Sequence, residues 1–458
     1  MQTRYSERLE EFNSVLDNKG KVNEFLNKYP EVEIAEVLQE YDNKVILDCF
    51  EIMDPERQGE VFSEMDMTRK LEFFKQLSKK RFSSIFEYMY SDSRADFFQH
   101  LTQQEQAALL PFLNKQTAED VLTLSAYPPE TAGGIMSTDF TVLTENLTCR
   151  YAIEQLRSTG DSKDFIYYVY IVDENMHLKG FLSLKKIIQS DPDTLLKDIY
   201  ESEFIYSYVD EDREDVAAKV EKYDLVAIPV LNAHSQIIGV VYHDDVIEVI
   251  RKEHTEDMEK FMGIVPGDEI LNYNQTSVGG HFKKRVVWLA ALAVLGLISG
   301  IIIHSFEEAL TVLIILAMYI PMVADTGGNA GSQAATVVIR ALALKQLAVA
   351  DWLKIVWKEA RIAFLLAIVL GVIAFGKVLW LSWNTVLPPE HNLYFLAFGI
   401  SLALSLQVIT STVVGACLPL IVKKFGGDPA VAASPAITTT VDITGLLIYF
   451  GIAMVLFF

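Results

Sequence analysis

Five apolar stretches, at about residues 286–304, 310–340, 353–381, 394–422 and 430–457, constrain this chain more than any other feature. Each has the length, about 20 residues, needed to cross a hydrocarbon core of about 30 Å. In lipid every backbone polar group must be satisfied within the segment, so the spans are expected to be helices. The connections between them alternate in charge. Lys283, Lys284 and Arg285 precede the first span, whereas 304–309 has no Lys or Arg. Arg340, Lys345, Lys354 and Lys358 flank the next turn, 382–392 has none, and Lys423 with Lys424 precede the last span. Positive charge stays on the cytosolic side, so the N-terminal part is expected in the cytosol and Phe458 outside, in a multi-pass protein of the plasma membrane.

The rest of the chain belongs to water. Residues 281–458 hold eight of the 61 acidic and eleven of the 39 basic side chains, which leaves 53 acids against 28 bases in residues 1–280. That net charge of −25 repels phosphates and argues against a nucleic-acid partner. It suits cation binding or plain solubility. Cys49, Cys149 and Cys417 are too few for a disulfide framework or a CxxC metal site. The N-terminal MQTRYSERLEEF has no apolar core of a signal peptide, which agrees with a cytosolic start.

Residues 1–130 read as short helices without strands. Apolar side chains recur at three and four, as in Leu71, Phe73, Phe74, Leu77 and again Phe82, Ile85, Phe86, Met89. Breaks are expected at Ser91-Asp92-Ser93 and Thr102-Gln103-Gln104, giving a superhelical array of helical hairpins. From Tyr127 the texture changes. Strands are expected at 165–172 and 178–184, and again at 225–231 and 237–242, each pair flanked by helices. The two copies lie about sixty residues apart. With Gly180-Phe-Leu-Ser183 in the first and Gly239-Val-Val-Tyr242-His-Asp-Asp245 in the second, they resemble a tandem pair of cystathionine β-synthase (CBS) domains. Members often bind adenine nucleotides such as ATP through a Ser or Thr followed three residues later by Asp. Here Ser183 is followed by Lys186, and Asp245 is preceded by Tyr242, so nucleotide binding is expected to be weak or absent. The expected division is a helical domain over 1–130, an α+β CBS pair over 131–248, a connecting helix over 249–275 and a five-helix membrane domain over 276–458.

Polar side chains in the spans are expensive in lipid and usually functional. The second span holds PMVADTGGNAGSQAAT, in which Asp325, Asn329 and Gln333 are spaced by four and share a helical face. Gly327, Gly328 and Gly331 either interrupt that helix or let a neighbour approach, and Pro321 frees a backbone carbonyl. The fifth span opens with Asp428-Pro429 and contains SPAITTTVDITG, where Ser434, Thr438 and Asp442 again share a face. The fourth adds Gln407, Thr410, Ser411 and Thr412. Oxygen-rich faces suit a hard cation. A lone carboxylate among hydroxyls suits hydrated Mg²⁺, which gives up its water reluctantly.

GGNAGSQ in the second span, DPA and TTTVDITG near the fifth, and the domain order together resemble the MgtE family of magnesium channels and transporters over nearly the whole chain. The resemblance implies a homodimer whose pore, on the two-fold axis, is lined by the second and fifth spans. It also implies that cytosolic Mg²⁺ binds between the soluble domains, the connecting helix and the membrane part and holds the pore shut. Positions that match that acidic pattern are Asp92, Asp96, Glu214, Asp224, Asp245, Glu248, Glu253, Glu256, Asp257 and Asp428. One departure is Ser434, which stands where the family's pore carries an amide.

No GxxxxGK[ST] loop, nucleophile elbow or HExxH occurs, so no enzymatic engine is expected. None is needed for uptake. A potential of 100 mV, inside negative, favours entry of a divalent cation by roughly 4.6 kcal/mol. The expected function is therefore passive Mg²⁺ uptake closed by cytosolic Mg²⁺. An ion-coupled transporter or exporter of Mg²⁺, Mn²⁺ or Co²⁺ is the first alternative. A nucleotide-sensing receptor that conducts nothing is the second.

Overall fold

The computed structural model of the chain describes residues 2–159, 167–267, 273, 276–432 and 434–458. It divides into two compact units, Met1–Arg251 and Lys252–Phe458.

The first unit begins with short helices: α1 (Gln2–Val15), α2 (Lys19–Lys28), α3 (Glu31–Leu38), α4 (Asn43–Phe50), α5 (Pro55–Ser63), α6 (Met67–Gln76), α7 (Lys79–Phe86), α8 (Ser91–His100), α9 (Gln103–Leu109) and α10 (Lys115–Leu124). Their starts are written locally. Asp54 accepts from Arg57 N ahead of Pro55, and Thr102 with Glu105 forms a capping box. The breaks fall at or just before the expected polar triplets: Ser91 opens α8, and Thr102 caps α9, which Gln103 opens. The apolar periodicity finds its partners. Phe62, Phe73, Phe74, Phe82, Phe86 and Phe97 are fully buried, with Phe74 and Phe82 edge to face at 4.8 Å.

Two three-stranded sheets follow. β1 (Val142–Thr144) runs parallel to β2 (Tyr168–Val172), which pairs antiparallel with β3 (Leu178–Ser183). β4 (Ser207–Tyr208), β5 (Ala227–Leu231) and β6 (Ile237–Tyr242) repeat the order. The helices are α11 (Cys149–Thr159), α12 (Leu184–Gln189), α13 (Arg213–Tyr223) and α14 (His243–Phe261). The pattern expected from sequence, duplicated strand pairs flanked by helices, is present. The short parallel strands β1 and β4 escaped it, because two or three residues carry no readable alternation. The first residues of the strand expected from 165 lie outside the described residues. The helical region docks on the second repeat. Ala95 of α8 and Leu124 of α10 share a buried cluster with Ala132, Met136, Val216 and Val230, and Ser91 Oγ lies 2.9 Å from Ser137 Oγ.

The connecting helix differs from expectation. It ends at Phe261 rather than continuing towards Tyr273, because Gly263 turns the chain at φ +69° and Pro266 follows. Residues 268–272 and 274–275 of the expected segment lie outside the described residues.

The second unit contains α15 (Val278–Ser305), the short α16 (Glu307–Val312), α17 (Ile315–Ala343), α18 (Trp352–Ser382), α19 (Leu393–Lys424) and α20 (Ser434–Phe457). Among the described residues, α15, α18 with its lead-in, α19 and α20 are long and apolar enough to cross a membrane. The 29-residue α17 is as long but carries the polar motif, which lowers its apolar character. α17, α18 and α19 pack as a bundle, with α20 against α17 and α19. No residue of α15 is buried, as suits a helix facing lipid or another chain. α17 continues without a break through Pro321 and its glycines. The glycines serve close approach: a Cβ on Gly415 of α19 would fall 2.1 Å from Gly331 O, so the two backbones touch.

Candidate permeation site and acidic clusters

The polar residues of α17 form one stripe on the outside of the bundle. Asp325, Asn329 and Gln333 are all exposed, whereas Gly327, Gly328, Ala330 and Gly331 face inward. α20 lies beside that stripe. Thr438 touches the Gly328 position, and Asp442, half-buried, lies within coulombic reach of Asp325. The backbone of Ser434 opens α20, and its side chain lies outside the described residues. A face with a carboxylate, an amide pair and a hydroxyl cannot lie against hydrocarbon without a large cost. Behind the stripe, Gln407 of α19 is fully buried and its Nε2 donates to Val441 O at 2.8 Å. Ser411 and Thr412 turn inward too, each bonded to Val408 O, so they serve helix packing.

On the soluble unit the acids gather where α8 meets the second repeat. Asp92 and Asp96 sit one turn apart on α8, and Asp245 and Glu248 lie in the first turns of α14. Asp245 is pushed up to about 9, first by burial and then by the charges of Asp92, Asp244 and Glu248. Asp92 is pushed up to about 6, chiefly by burial with Asp96 adding to it. A cation belonging to the chain sits among them. Lys70 is 5% exposed and donates to Ser63 O at 2.5 Å. Burial lowers its pKa against the opposing pull of Asp92, Asp96, Glu64 and Glu248. Sequence reading missed Lys70, although its place on the Phe73–Phe74 face of α6 is the signal that could have revealed it.

Two of the expected acids stand elsewhere. Glu214 is in the first turn of α13 and Asp224 caps its other end, about 15 Å away by helix rise, and both are exposed. The remaining set belongs to the second unit. Glu253, Glu256 and Asp257 are half-buried on α14. Lys260 bridges Glu256 at 2.5 Å and Asp428 at 2.8 Å. Burial opposes its charge, but those two hydrogen bonds outweigh it and raise its pKa. Asp257 is raised by burial and then by the Asp428 charge. Asp257 thus lies within coulombic reach of Asp428. Asp428 also accepts from Ala430 N at the start of the short turn before α20.

Among the described residues no three His, Cys, Asp or Glu side chains stand close enough to hold a metal ion directly. Both clusters crowd carboxylates around one lysine, Lys70 in the first and Lys260 in the second. The incomplete CBS motifs are otherwise engaged. Ser183 Oγ caps α12 by accepting from Lys186 N, the Tyr242 hydroxyl donates to Asp139 O, and Asp245 faces the acids. An open cleft of about 620 Å³ lies beside Tyr167, Tyr168, Ser183 and Val226.

The raised acids make a pH prediction. The folded protein keeps protons on Asp92 and Asp245 that the unfolded chain releases near its ordinary value of 3.8, so their stabilising contribution is lost as pH rises. Without divalent cations, the soluble unit should lose thermal stability from about pH 4 through about 6 and on to about 9. A cation must displace those protons, so the stabilisation by Mg²⁺ should grow over the same window. Thermal unfolding in chelator and in millimolar Mg²⁺ measures both trends. Curves without pH dependence from 5 to 9 in chelator would remove these two acids from the account.

A duplicated CBS-like module followed in the chain by a bundle of membrane-length helices, with a polar stripe on its surface, defines a multi-pass membrane protein. Comparison with known proteins narrows the class. Residues 320–452 match the family model MgtE, described as a divalent cation transporter; 29–130 match the MgtE intracellular N domain; 132–193 and 196–252 match the CBS domain. The magnesium transporter MgtE of Thermus thermophilus is 35% identical over 344 residues, 75% of this chain and 74% of that one. That of Enterococcus faecalis is 34% identical over 339 residues, 74% of this chain and 72% of that one. A crystal structure of the soluble part of a magnesium transporter is 29% identical with a TM-score of 0.52, covering 54% of this chain and 99% of the other. The chain belongs to the MgtE family.

Proposed function

We propose that this protein conducts Mg²⁺ into the cell through a path lined by α17 and α20 of two copies of the chain. The observation that carries the reading is the exposed stripe of Asp325, Asn329 and Gln333 beside Asp442. Such a stripe needs a wet partner surface, and a second copy across a two-fold axis supplies one with the same polar groups. The carboxylates attract the hydrated ion. Asn329, Gln333 and Thr438 offer oxygens that can replace bulk water around it without stripping its own shell. The positive connections support an orientation with the soluble unit in the cytosol and the end of α20 outside.

The acids away from the stripe form the gate. Asp92, Asp96, Asp245 and Glu248 lie where α8 meets the second CBS repeat, and Glu253, Glu256 and Asp257 lie on α14 near the turn at Asp428. Glu214 and Asp224 stay in the acidic set as exposed sites on α13. A bound divalent cation supplies the countercharge that Lys70 and Lys260 supply only in part. The residues themselves repel when it is absent and approach when it is present, so closure follows cytosolic Mg²⁺.

Reconstitution tests the reading. Liposomes held inside-negative should take up Mg²⁺ with no Na⁺ or proton gradient. Uptake that needs such a gradient would make the protein a coupled transporter of Mg²⁺, Mn²⁺ or Co²⁺. A flux indistinguishable from empty liposomes would overturn transport altogether.

A further inference from the structure

The structure assigns a role to Gln407, and the inference rests on the permeation reading above. We propose that its amide is a positioning group for the permeation path, a wedge that sets the spacing of α17 and α20 at the level of Asp325 and Asp442.

Gln407 comes from α19, which lies behind the polar stripe. Its side chain is fully buried and passes between two glycines, one on each path-lining helix. A Cβ on Gly327 of α17 would fall 2.6 Å from Gln407 Nε2, and one on Gly445 of α20 would fall 2.5 Å from the same atom. No ordinary side chain tolerates such distances, so both positions have room for the amide only because they are glycine. Gly327 lies two residues from Asp325 and two from Asn329, and Gly445 lies three from Asp442. The wedge therefore sits at the depth of the acids.

The amide also holds a particular peptide group. Nε2 donates at 2.8 Å to Val441 O, the carbonyl immediately before Asp442. A buried hydrogen bond at that point fixes the peptide from which the Asp442 side chain departs, and with it the direction of the carboxylate. The other half of the amide is free. Oε1 is buried and accepts no hydrogen bond among the described residues. A buried carbonyl of this kind carries a desolvation cost that simple helix packing would avoid. An apolar side chain of equal length would fill the same slot without it. The amide therefore acts through what Nε2 does to the Val441 peptide.

A merely structural glutamine and a positioning one predict different results. Gln407→Met keeps the length and volume of the side chain and removes both halves of the amide. Gly445→Ala keeps the amide and pushes it out of its slot. Each variant is reconstituted, and Mg²⁺ uptake is read together with the ratio of Mg²⁺ to Ca²⁺ uptake, thermal stability and elution volume. Wild-type uptake is the control for the permeation reading itself. With that in place, both variants are expected to remain folded, to lose Mg²⁺ uptake by about tenfold, the loss a single buried hydrogen bond accounts for, and to shift the Mg²⁺ to Ca²⁺ ratio. Unchanged uptake and ratio in Gln407→Met would overturn the proposal. So would uptake lost only in proportion to folded protein, with the ratio unmoved. Should Gln407→Met fail to fold, Gly445→Ala decides alone: native uptake and ratio in that variant refute the wedge.

Discussion

Asp442→Asn should reduce Mg²⁺ uptake by at least about a hundredfold while the protein still inserts and assembles. The variant preserves shape, so helix packing around it has no reason to change. What it removes is a half-buried carboxylate whose charge reaches Asp325 on the neighbouring helix. A divalent ion entering a narrow low-dielectric path needs fixed countercharge, and losing a full charge there costs several times what losing a neutral hydrogen bond costs. About 2.7 kcal/mol on the barrier is enough for a hundredfold. Asp325 is exposed on the same stripe, so Asp325→Asn should weaken uptake less, because that group is easier for water to replace. Reconstituted uptake, normalised to inserted protein, measures both. Near-normal uptake through Asp442→Asn would remove that carboxylate from the path and leave the stripe as a packing surface.

The second large effect concerns the gate. Replacing Asp257 and Asp428 together by Asn should leave the path open at cytosolic Mg²⁺ concentrations that close the unaltered protein. Half-closure should move up by at least about tenfold. Both acids lie in the second unit. Burial and the Asp428 charge raise Asp257, while Lys260 bridges Asp428 and Glu256. The Lys260 ammonium satisfies part of that charge. Lys260 acts on Asp257 too, but burial and the Asp428 charge outweigh it. Moving the equilibrium from mostly open to mostly closed takes about 5.5 kcal/mol of differential binding, which several weak sites supply together. Removing two carboxylates from one of them should therefore shift closure without abolishing conduction. Patch recording with controlled cytosolic Mg²⁺ reads the shift. An unchanged closing concentration would exclude this pair from the gate.

Much of this was legible in the sequence because its signals are one-dimensional. Spanning length, charge alternation between spans, and the spacing of four in Asp325, Asn329, Gln333 and in Ser434, Thr438, Asp442 need only helix geometry. The same holds for the aromatic faces of α6 and α7 and for the duplicated strand pattern. Other features depended on partners far apart in the chain. Whether the glycines of α17 broke the helix or admitted a neighbour was decided by Gly415 and Gln407 on α19, which touch them only in the folded bundle. Lys70 reads as a surface lysine until α6 and α8 bury it beside the acids of α14. The meeting of Lys260 with Asp428 joins residues 168 positions apart. Sequence by itself determined which segments prefer water or lipid and which side chains share a helical face, because local periodicity and transfer free energy act on neighbours in the chain. Only the tertiary structure decided which carboxylates meet a countercharge and which glycines admit a side chain, because burial and coulombic energy depend on distances that close when the helices pack.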